Sequence, residues 1–246
     1  MFDNDTCVVT GASRGIGRGI AEHLAGEGAS VAVNYRSSPD AAREVVEAIR
    51  TDGGEAVAVQ ADVTSFEAVE RMREEVHDAF GPVDILVNNA GVTHDTTFAK
   101  MSREEWNGVI DVHLNGMFNA TKVFFEDVKA ADAGRLINVS SIVGKQGNFG
   151  QSNYATAKSG MFGFTRTLAL ELAPSGSTAN CIAPGFTRTD MLAQVDEEIR
   201  EQIRGEIPLG RFATVDDVAS LVAFLASERA SYITGEIIDV NGGMDL

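Results

Sequence analysis

The amino-acid sequence predicts an α/β protein in which one parallel sheet of seven strands carries helices on both faces. Three observations support this prediction. Short apolar runs recur along the 246 residues, segments with helical apolar spacing separate them, and no linker, repeat or low-complexity stretch divides the chain. Strands that alternate with helices in this way form βαβ units with parallel neighbours. We therefore expect a single doubly wound domain of the Rossmann type over residues 1–246.

The predicted elements follow one another in this alternating order. Apolar runs predict strands over residues 6–10, 30–35, 55–60, 84–87, 135–139, 177–182 and 236–240. Apolar residues at helical spacing predict helices over residues 15–27, 40–51, 65–80, 104–129, 154–172 and 215–226. Residues 185–214 lack strand character, and within them we expect a substrate loop or lid over residues 186–214.

The charge balance is strongly acidic, because 36 acidic residues against 20 lysines and arginines leave a net charge of −16. Nucleic-acid binding needs a basic surface, so nucleic acid is excluded as a partner. The acids are spread along the chain, which favours a heavily hydrated surface. We therefore expect a salt-loving source and a stability that rises with KCl. No apolar run is long enough to span a membrane and no signal peptide is evident, so we expect a cytoplasmic protein.

Cysteine and histidine usage does not indicate a metal site. The two cysteines, Cys7 and Cys181, lie in apolar runs, which favours two buried thiols over a disulfide or a metal pair. The four histidines are scattered singly, and none has ligand spacing to another histidine or to a cysteine. We expect no metal.

A glycine-rich loop joins the first predicted strand to the first predicted helix. Gly11 permits a tight turn, Gly15 lets the backbone approach a pyrophosphate, and Gly17 lets the helix pack closely on the sheet. The helix that begins here offers free N–H groups to a phosphate. A structural turn is the alternative, but this position favours nucleotide binding by the loop, with Gly11, Ser13, Arg14, Gly15, Ile16 and Gly17 as contacts.

The segment after the second strand decides between the two nicotinamide dinucleotides. An acidic residue there would accept the ribose 2′-hydroxyl of NAD, but residues 34–38 contain none. Arg36 and Arg14 can instead bind the 2′-phosphate of NADPH, although either one could be an ordinary surface charge. We therefore expect NADPH/NADP⁺.

Two further strand ends offer cofactor contacts. Asp62 and Val63 follow the third strand and can flank the adenine, while a helix N-cap is the compatible alternative for Asp62. Small residues and amides end the fourth strand and suit a cofactor lying across it, with a plain turn as the alternative: Asn89, Ala90 and Gly91.

Tyr154 and Lys158 are the catalytic candidates, one helical turn apart, with Ser141 just past the fifth strand. A nearby ammonium favours the phenolate, so we expect Lys158 to lower the pKa of Tyr154. Such a tyrosine can protonate an alkoxide that forms at a carbonyl carbon, and Ser141 can donate to the same oxygen. Taken alone, a tyrosine and a lysine four residues apart often occur by chance in an ordinary helix.

The order and spacing of these motifs resemble the classical short-chain dehydrogenase/reductase family over essentially the whole chain. The resemblance rests on a set of motifs in the family's order: the glycine loop that begins at Thr10, residues 88–91, Asn115, Ser141, Tyr154 with Lys158, and Pro184 with Gly185. It implies a catalytic tetrad of Asn115, Ser141, Tyr154 and Lys158, with Tyr154 as the acid/base and Lys158 also on the nicotinamide ribose. It further implies that Pro184, Gly185, Phe186 and Thr187 lie against the nicotinamide, with Thr187 on its carboxamide.

Within that family the chain resembles the 3-oxoacyl-thioester reductases. These act either on acyl-carrier protein in fatty-acid synthesis or on acetoacetyl-CoA in polyhydroxyalkanoate synthesis. Residues 92–95, 106–111 and 149–154 look more like the second group. Where a reductase of acidic carrier protein would show bases, residues 126–132 and 171–174 are mostly acidic or apolar, which favours an acyl-CoA substrate. Substrate contacts are expected from Asp95, Lys100, Ser141, Asn148, Phe149, Gln151 and Phe186.

Other functions remain open at this point. The same scaffold could carry a sugar or alcohol dehydrogenase, because a scaffold does not fix a substrate. A non-catalytic NADPH-sensing scaffold protein is a third hypothesis, which an intact Tyr154 and Lys158 disfavour. The resemblance also implies a homotetramer, in which the helices at 104–129 and 154–172 pair between subunits.

Overall fold

The computed structural model describes residues 1–189, 192 and 196–245. Within them seven strands form one sheet in the order β3-β2-β1-β4-β5-β6-β7, and every neighbouring pair is parallel. The strands are β1 (Thr6–Val9), β2 (Ser30–Tyr35), β3 (Glu55–Gln60), β4 (Ile85–Asn88), β5 (Arg135–Val139), β6 (Thr178–Pro184) and β7 (Ile237–Val240). The predicted seven-stranded parallel sheet is confirmed.

The helices connect these strands in the predicted alternation. They are α1 (Gly15–Gly26), α2 (Pro39–Thr51), α3 (Phe66–Phe80), α4 (Arg103–Ile110), α5 (Gly116–Ala130), α6 (Val143–Gln146), α7 (Ser152–Leu172), α8 (Glu197–Glu206) and α9 (Val215–Ala226). Of the helices in the described ranges, none combines the length and the apolar character needed to cross a membrane.

Each strand contributes alternate side chains to two hydrophobic layers, one on either face of the sheet. Cys7 and Val9 of β1 pack with α1, α2 and α9 on one face. Val8 between them packs with α3, α5 and α7 on the other face. Burial on both faces explains why the strands read as continuous apolar runs. Both cysteines are buried and free, as predicted.

One predicted helix is interrupted. The sequence predicts a continuous helix over residues 104–129, but a π-helical segment, Asp111–Asn115, separates α4 from α5. A π turn inserts an extra residue into the helical repeat and therefore changes which side chains face the sheet. The apolar spacing continues through this segment, so it carries no sequence signal for the interruption.

The strand order places the site. The sheet runs from β1 to β2 in one direction and from β1 to β4 in the other, so the chain reverses its winding at β1. Loops that leave β1 and β4 at their carboxyl ends then bound a crevice, which is where ligands bind in open α/β sheets. The loop after β1 and the residues after β4 are the motifs that the sequence singles out.

Gly17 and Gly26 of helix α1 offer a matched test of close packing in this crevice. An added Cβ at Gly17 would lie 2.3 Å from Asn89 Nδ2 and 2.6 Å from Gly11 O, whereas one at Gly26 meets nothing within 4 Å. We expect Gly17→Ala to lower the melting temperature and Gly26→Ala to raise stability by up to about 1 kcal/mol, as alanine does in helices. Thermal unfolding of both variants checks this, and an unchanged Gly17→Ala protein would contradict the packing argument.

Candidate active site

The loop between β1 and α1 has the conformation that the glycine pattern predicts. Gly11 has φ +64° and its N–H donates to Asn34 Oδ1 at 3.1 Å. Asn34 also donates to Ala61 O at 3.1 Å, so one buried amide connects the loop with the ends of β2 and β3. An added Cβ at Gly11 would lie 2.9 Å from Ala90 Cα. The loop therefore lies directly against the end of β4.

The start of α1 fits a phosphate group. The helix begins at Gly15, which has φ +58°. The N-cap residue, Arg14, accepts no side-chain hydrogen bond from the first N–H groups of the helix. The nearest atom to an added Cβ at Gly15 is Thr189 Cγ2 at 3.7 Å, so there is room beside the backbone. Unsatisfied N–H groups next to open space are what a pyrophosphate requires. Gly11, Ser13, Gly15, Ile16 and Gly17 would hold it.

The end of β4 is hydrogen-bonded to the same loop. Thr10 Oγ1 accepts from the backbone N–H of Asn89 at 2.9 Å and of Ala90 at 3.0 Å. The Asn89 amide in turn donates to Thr10 O at 2.9 Å and Gly11 O at 3.2 Å. These contacts fix the floor of the crevice, so Asn89 has a structural role whatever it contributes to a cofactor.

Asp62 and Val63 are held rigidly at the end of β3. Asp62 Oδ1 accepts from Thr64 N at 3.0 Å and from Thr64 Oγ1 at 2.8 Å, which closes a turn. The N-cap of α3 is Ser65, so the N-cap alternative for Asp62 is wrong. Val63 is buried, and its carbonyl accepts from Asn119 Nδ2 at 2.9 Å. A role of both residues beside adenine stays a prediction.

The two arginines expected at a 2′-phosphate are exposed. Arg14 precedes α1 and Arg36 follows β2. Among the residues that the structure describes, neither guanidinium has a carboxylate within 4.0 Å. Both positive charges therefore remain available to an anionic ligand.

Tyr154, Lys158 and Ser141 meet where β5 ends and α7 begins. Lys158 is buried, its Nζ donates to Val139 O at 2.7 Å, and it lies 5.6 Å from the centre of the Tyr154 ring. Ser140 Oγ donates to Lys158 O at 2.8 Å. Ser141 follows at once and is half-buried beside Tyr154. The structure thus brings these three predicted catalytic residues together.

The pKa of Tyr154 does not behave as predicted. Burial of the hydroxyl raises the pKa of Tyr154 to about 12, against a smaller lowering by the Ser141 hydroxyl, with the Asp95 charge raising it further. Burial also lowers the pKa of Lys158 to about 8. The expected lowering of the Tyr154 pKa is therefore wrong for this structure, because desolvation of the hydroxyl is the largest cause acting on it. Tyr154 is a protonated hydroxyl at neutral pH.

Asn115, the fourth member that the resemblance implies, does not join this group. Its side chain is exposed, and its amide donates to Asp111 Oδ1 at 2.7 Å. His113 is the residue of the π-helical segment that faces the site, with its ring 5.2 Å from that of Tyr154 in an edge-to-face arrangement. In the sequence His113 is a single histidine without ligand spacing, so it is not predicted as a site residue. The available signal was its place on the apolar face between Val109 and Ala120.

Three of the expected substrate contacts form one hydrogen-bonded chain. Asn148 Nδ2 donates to Gln151 Oε1 at 2.9 Å, and Gln151 Nε2 donates to Asp95 Oδ2 at 2.8 Å. Phe149 beside them is 88% exposed, so it is available to an apolar ligand. Lys100 is exposed, and within the described residues its side chain makes no hydrogen bond to Asn148, Gln151 or Asp95.

The segment after β6 approaches from the opposite side. Thr187 is buried and its hydroxyl donates to Gly185 O at 3.2 Å, while Pro184 O accepts from Ile142 N at 2.9 Å. An added Cβ at Gly185 would lie 2.9 Å from Asn241 Cα. Phe186 packs against Leu192, Ile207 and Phe212. That contact gives Phe186 a packing role.

The site can deliver a proton to an oxygen beside a bound dinucleotide. A nicotinamide cofactor would supply the hydride. Ser141 can donate a hydrogen bond to a carbonyl oxygen, and Tyr154 can transfer its proton to that oxygen as negative charge develops. An alkoxide is a much stronger base than a phenolate, so a raised tyrosine pKa does not prevent this transfer. Fold and site together define a dinucleotide-dependent oxidoreductase.

Comparison with known proteins agrees with that class. The family model described as enoyl-(acyl carrier protein) reductase matches residues 11–245, and the chain belongs to the short-chain dehydrogenase/reductase family. It is 48% identical over 241 residues to a 3-oxoacyl-(acyl-carrier-protein) reductase of Staphylococcus epidermidis, covering 98% of this chain and 99% of the relative. Relatives with the same name from Aquifex aeolicus and Synechocystis are each 46% identical, over 96% of this chain and 96% and 95% of their own lengths.

Tyr154→Phe removes the proton donor and leaves the ring in place. We expect turnover to fall at least about 100-fold, the range that proton-transfer groups contribute, while binding of NADPH stays unchanged. Absorbance at the NADPH band and fluorescence titration measure the two quantities. Tyr232→Phe, at a fully exposed tyrosine outside the site, is the matched control and should keep the wild-type rate. Retained turnover in Tyr154→Phe would refute the role of its hydroxyl.

Proposed function

We propose that this protein reduces the 3-oxo group of an acyl thioester with NADPH, and that its main substrate is acetoacetyl-CoA, which becomes (R)-3-hydroxybutyryl-CoA for polyhydroxyalkanoate synthesis. The observation that carries the reductase is the protonated Tyr154 beside Ser141 and the buried Lys158. A tyrosine held as its neutral hydroxyl suits reduction, since reduction consumes a proton at the new alkoxide. The names of the relatives support a 3-oxoacyl thioester as substrate class.

The hydrogen-bonded chain of Asn148, Gln151 and Asp95 supports a thioester with a polar arm. It presents amide and carboxylate groups beside Tyr154. Asn148 and Gln151 precede Tyr154 closely in the sequence, and the charge of Asp95 raises the pKa of Tyr154. The exposed rings of Phe98 and Phe149 flank this region with apolar surface. A phosphopantetheine arm, which has amides separated by short apolar segments, matches such a lining.

The carrier of the acyl group is proposed from charge. The net charge of −16 opposes docking of a strongly acidic carrier protein, whereas a free CoA thioester needs only a local site. The names of the relatives favour acyl-carrier protein as the second candidate. Asp127 adds little to the repulsion of an acidic carrier protein, because it is buried and paired with Arg73 at 2.6 Å and His77 at 2.7 Å.

Two wider expectations belong to the same proposal. Phe118 on α5 and Leu170 on α7 are exposed apolar residues on the helices expected to pair in a homotetramer. Residues 186–214 stay the candidate lid, and Asp190, Met191 and residues 193–195 of it lie outside the described residues. Light scattering of the purified protein gives the subunit number.

A substrate comparison tests the proposed activity. NADPH consumption is measured with acetoacetyl-CoA, acetoacetyl-carrier protein and a 2-enoyl-CoA, and NADP⁺ reduction with glucose and a simple alcohol. We expect the highest kcat/KM for acetoacetyl-CoA. Faster turnover of the carrier-protein substrate would move the assignment to fatty-acid synthesis. Turnover confined to the enoyl substrate, the sugar or the alcohol would refute it, and NADPH binding without any turnover would indicate a sensing or scaffold protein.

Arg36→Ala tests the preference for NADPH. If the guanidinium binds the 2′-phosphate, its removal should weaken NADPH by about 10-fold or more, in line with a charge-assisted hydrogen bond of about 1.5–3 kcal/mol, and leave NADH nearly unchanged. Fluorescence titration gives both dissociation constants. Arg43→Ala is the control, since Arg43 is exposed on α2 and paired with Asp40. Equal effects on NADPH and NADH would contradict the assignment of Arg36.

A further inference from the structure

His113 is a buried imidazole in the middle of the candidate site. Its side chain is 1% exposed, and its ring meets Tyr154 edge to face, with centres 5.2 Å apart and planes at 85°. Its Nε2 lies 2.7 Å from Val92 O and 3.1 Å from Val92 N. The shorter contact is to the carbonyl, so we assign the proton to Nε2, and Nδ1 then carries a lone pair.

That lone pair has no partner. Across residues 1–189, 192 and 196–245 no group donates a hydrogen bond to His113 Nδ1, although the atom is buried. Buried acceptors almost always have a donor, because an unmade hydrogen bond costs stability. The missing donor is therefore expected from outside these residues, and a bound water can supply it.

The imidazole donates through Nε2 to Val92 O, and its Nδ1 can serve only as an acceptor. Burial, assisted by the nearby charge of Lys158, lowers the pKa of His113 to about 3. The ring is then neutral at neutral pH, so it can orient a hydrogen-bond partner and does not itself act as an acid or a base. Burial and the charge of Lys158 lower the pKa of His113, and the hydrogen bond to the Val92 carbonyl raises it by less.

The surrounding chain is built around this ring. An added Cβ at Gly91 would lie 2.4 Å from His113 Cε1, so the strand-end loop needs glycine there to admit the imidazole. The same ring holds Val92, the next residue, by its hydrogen bond. His113 thus connects the loop after β4 with the ring of Tyr154.

We propose that His113 is a positioning residue for proton supply, whose Nδ1 accepts a hydrogen bond from a water molecule held between the imidazole and the Lys158 ammonium. Lys158 has three N–H donors, of which one goes to Val139 O. A donor from Lys158 and an acceptor on His113 provide the polar partners that a buried water requires. Asn115, which is exposed and bonded to Asp111, has no part in this arrangement.

The role rests on the proposed function, since it assumes that Tyr154 gives its proton to a reduced carbonyl. In each turnover the Tyr154 O–H bond breaks and the alkoxide gains that proton, while the hydride comes from NADPH. The phenolate left behind must recover a proton that comes from solvent. A water oriented by His113 and Lys158 stands on that route, so its loss slows proton return and leaves cofactor binding unaffected.

Substitutions at His113 separate positioning from packing. His113→Phe keeps a ring against Tyr154 and Gly91 and loses Nδ1. We expect kcat to fall about 100-fold, as for loss of a proton-transfer group, with a larger solvent isotope effect on kcat and an unchanged KM. His113→Phe also loses the Nε2 hydrogen bond to Val92, so the melting temperature should fall slightly, while the dissociation constant for NADPH should stay near the wild-type value. A wild-type kcat and isotope effect in a folded His113→Phe protein would overturn the proposal.

A second pair keeps the test decisive if the phenylalanine variant does not fold. Asparagine and leucine have the same branching, and only asparagine can accept a hydrogen bond. His113→Asn should therefore be at least about 10-fold faster than His113→Leu, the low end of a proton-transfer effect. Equal rates for the two would overturn the proposal, as would full activity in His113→Leu combined with a loss in Asn115→Ala.

The proposed substrate and the role of His113 can fail independently. The rates are compared on whichever carbonyl compound the wild-type protein reduces, and NADPH binding is measured without substrate. If the wild-type protein reduces another carbonyl but no 3-oxoacyl thioester, the substrate assignment is wrong and the His113 comparison still stands. Asn107→Ala, at an exposed asparagine of α4 outside the site, is the control and should keep the wild-type rate.

Discussion

The junction between β5 and α7 determines where the chemistry can occur. Lys158 Nζ donates to Val139 O at 2.7 Å, and Ser140 Oγ donates back to Lys158 O at 2.8 Å. Gly144 leaves no room for a side chain, since an added Cβ would lie 2.9 Å from the Lys158 carbonyl carbon. These contacts fix the first turns of α7 to the end of β5. Tyr154, one turn before Lys158, is thereby held beside Ser141.

Burial of Lys158 and Tyr154 at this junction also determines their pKa values. A buried ammonium with one carbonyl partner loses solvation, so the pKa of Lys158 falls to about 8. The hydroxyl of Tyr154 loses solvation too, and its pKa rises to about 12. Desolvation disfavours the charged form of both groups and is the largest cause of both shifts. The site therefore stores a proton on Tyr154, which a carbonyl substrate can take up once its oxygen becomes an alkoxide.

The sequence was sufficient for the parts of the site that local rules govern. Seven apolar runs predict the strands, and the glycine spacing predicts both the φ of +64° at Gly11 and the close packing at Gly17. Three-dimensional contacts decide the rest. The resemblance implies Asn115, whereas His113 lies on the buried face with Val109 and Ala120 and faces Tyr154. The sign of the Tyr154 pKa shift likewise depends on burial, which residue spacing alone does not measure.

The acidity of the chain and the choice of acyl carrier are linked through salt. The ends of α5 and α7 carry the exposed residues Glu126, Asp132 and Glu171 against Lys129, so the proposed repulsion of an acidic protein would act at low ionic strength. In molar salt, where so acidic a surface is expected to work, the screening length is about 3 Å and charge acts only at contact. If the proposed function holds, discrimination between carriers would then depend on the entrance itself, where Asp95, Gln151 and Phe149 would touch the pantetheine arm, and less on the net charge.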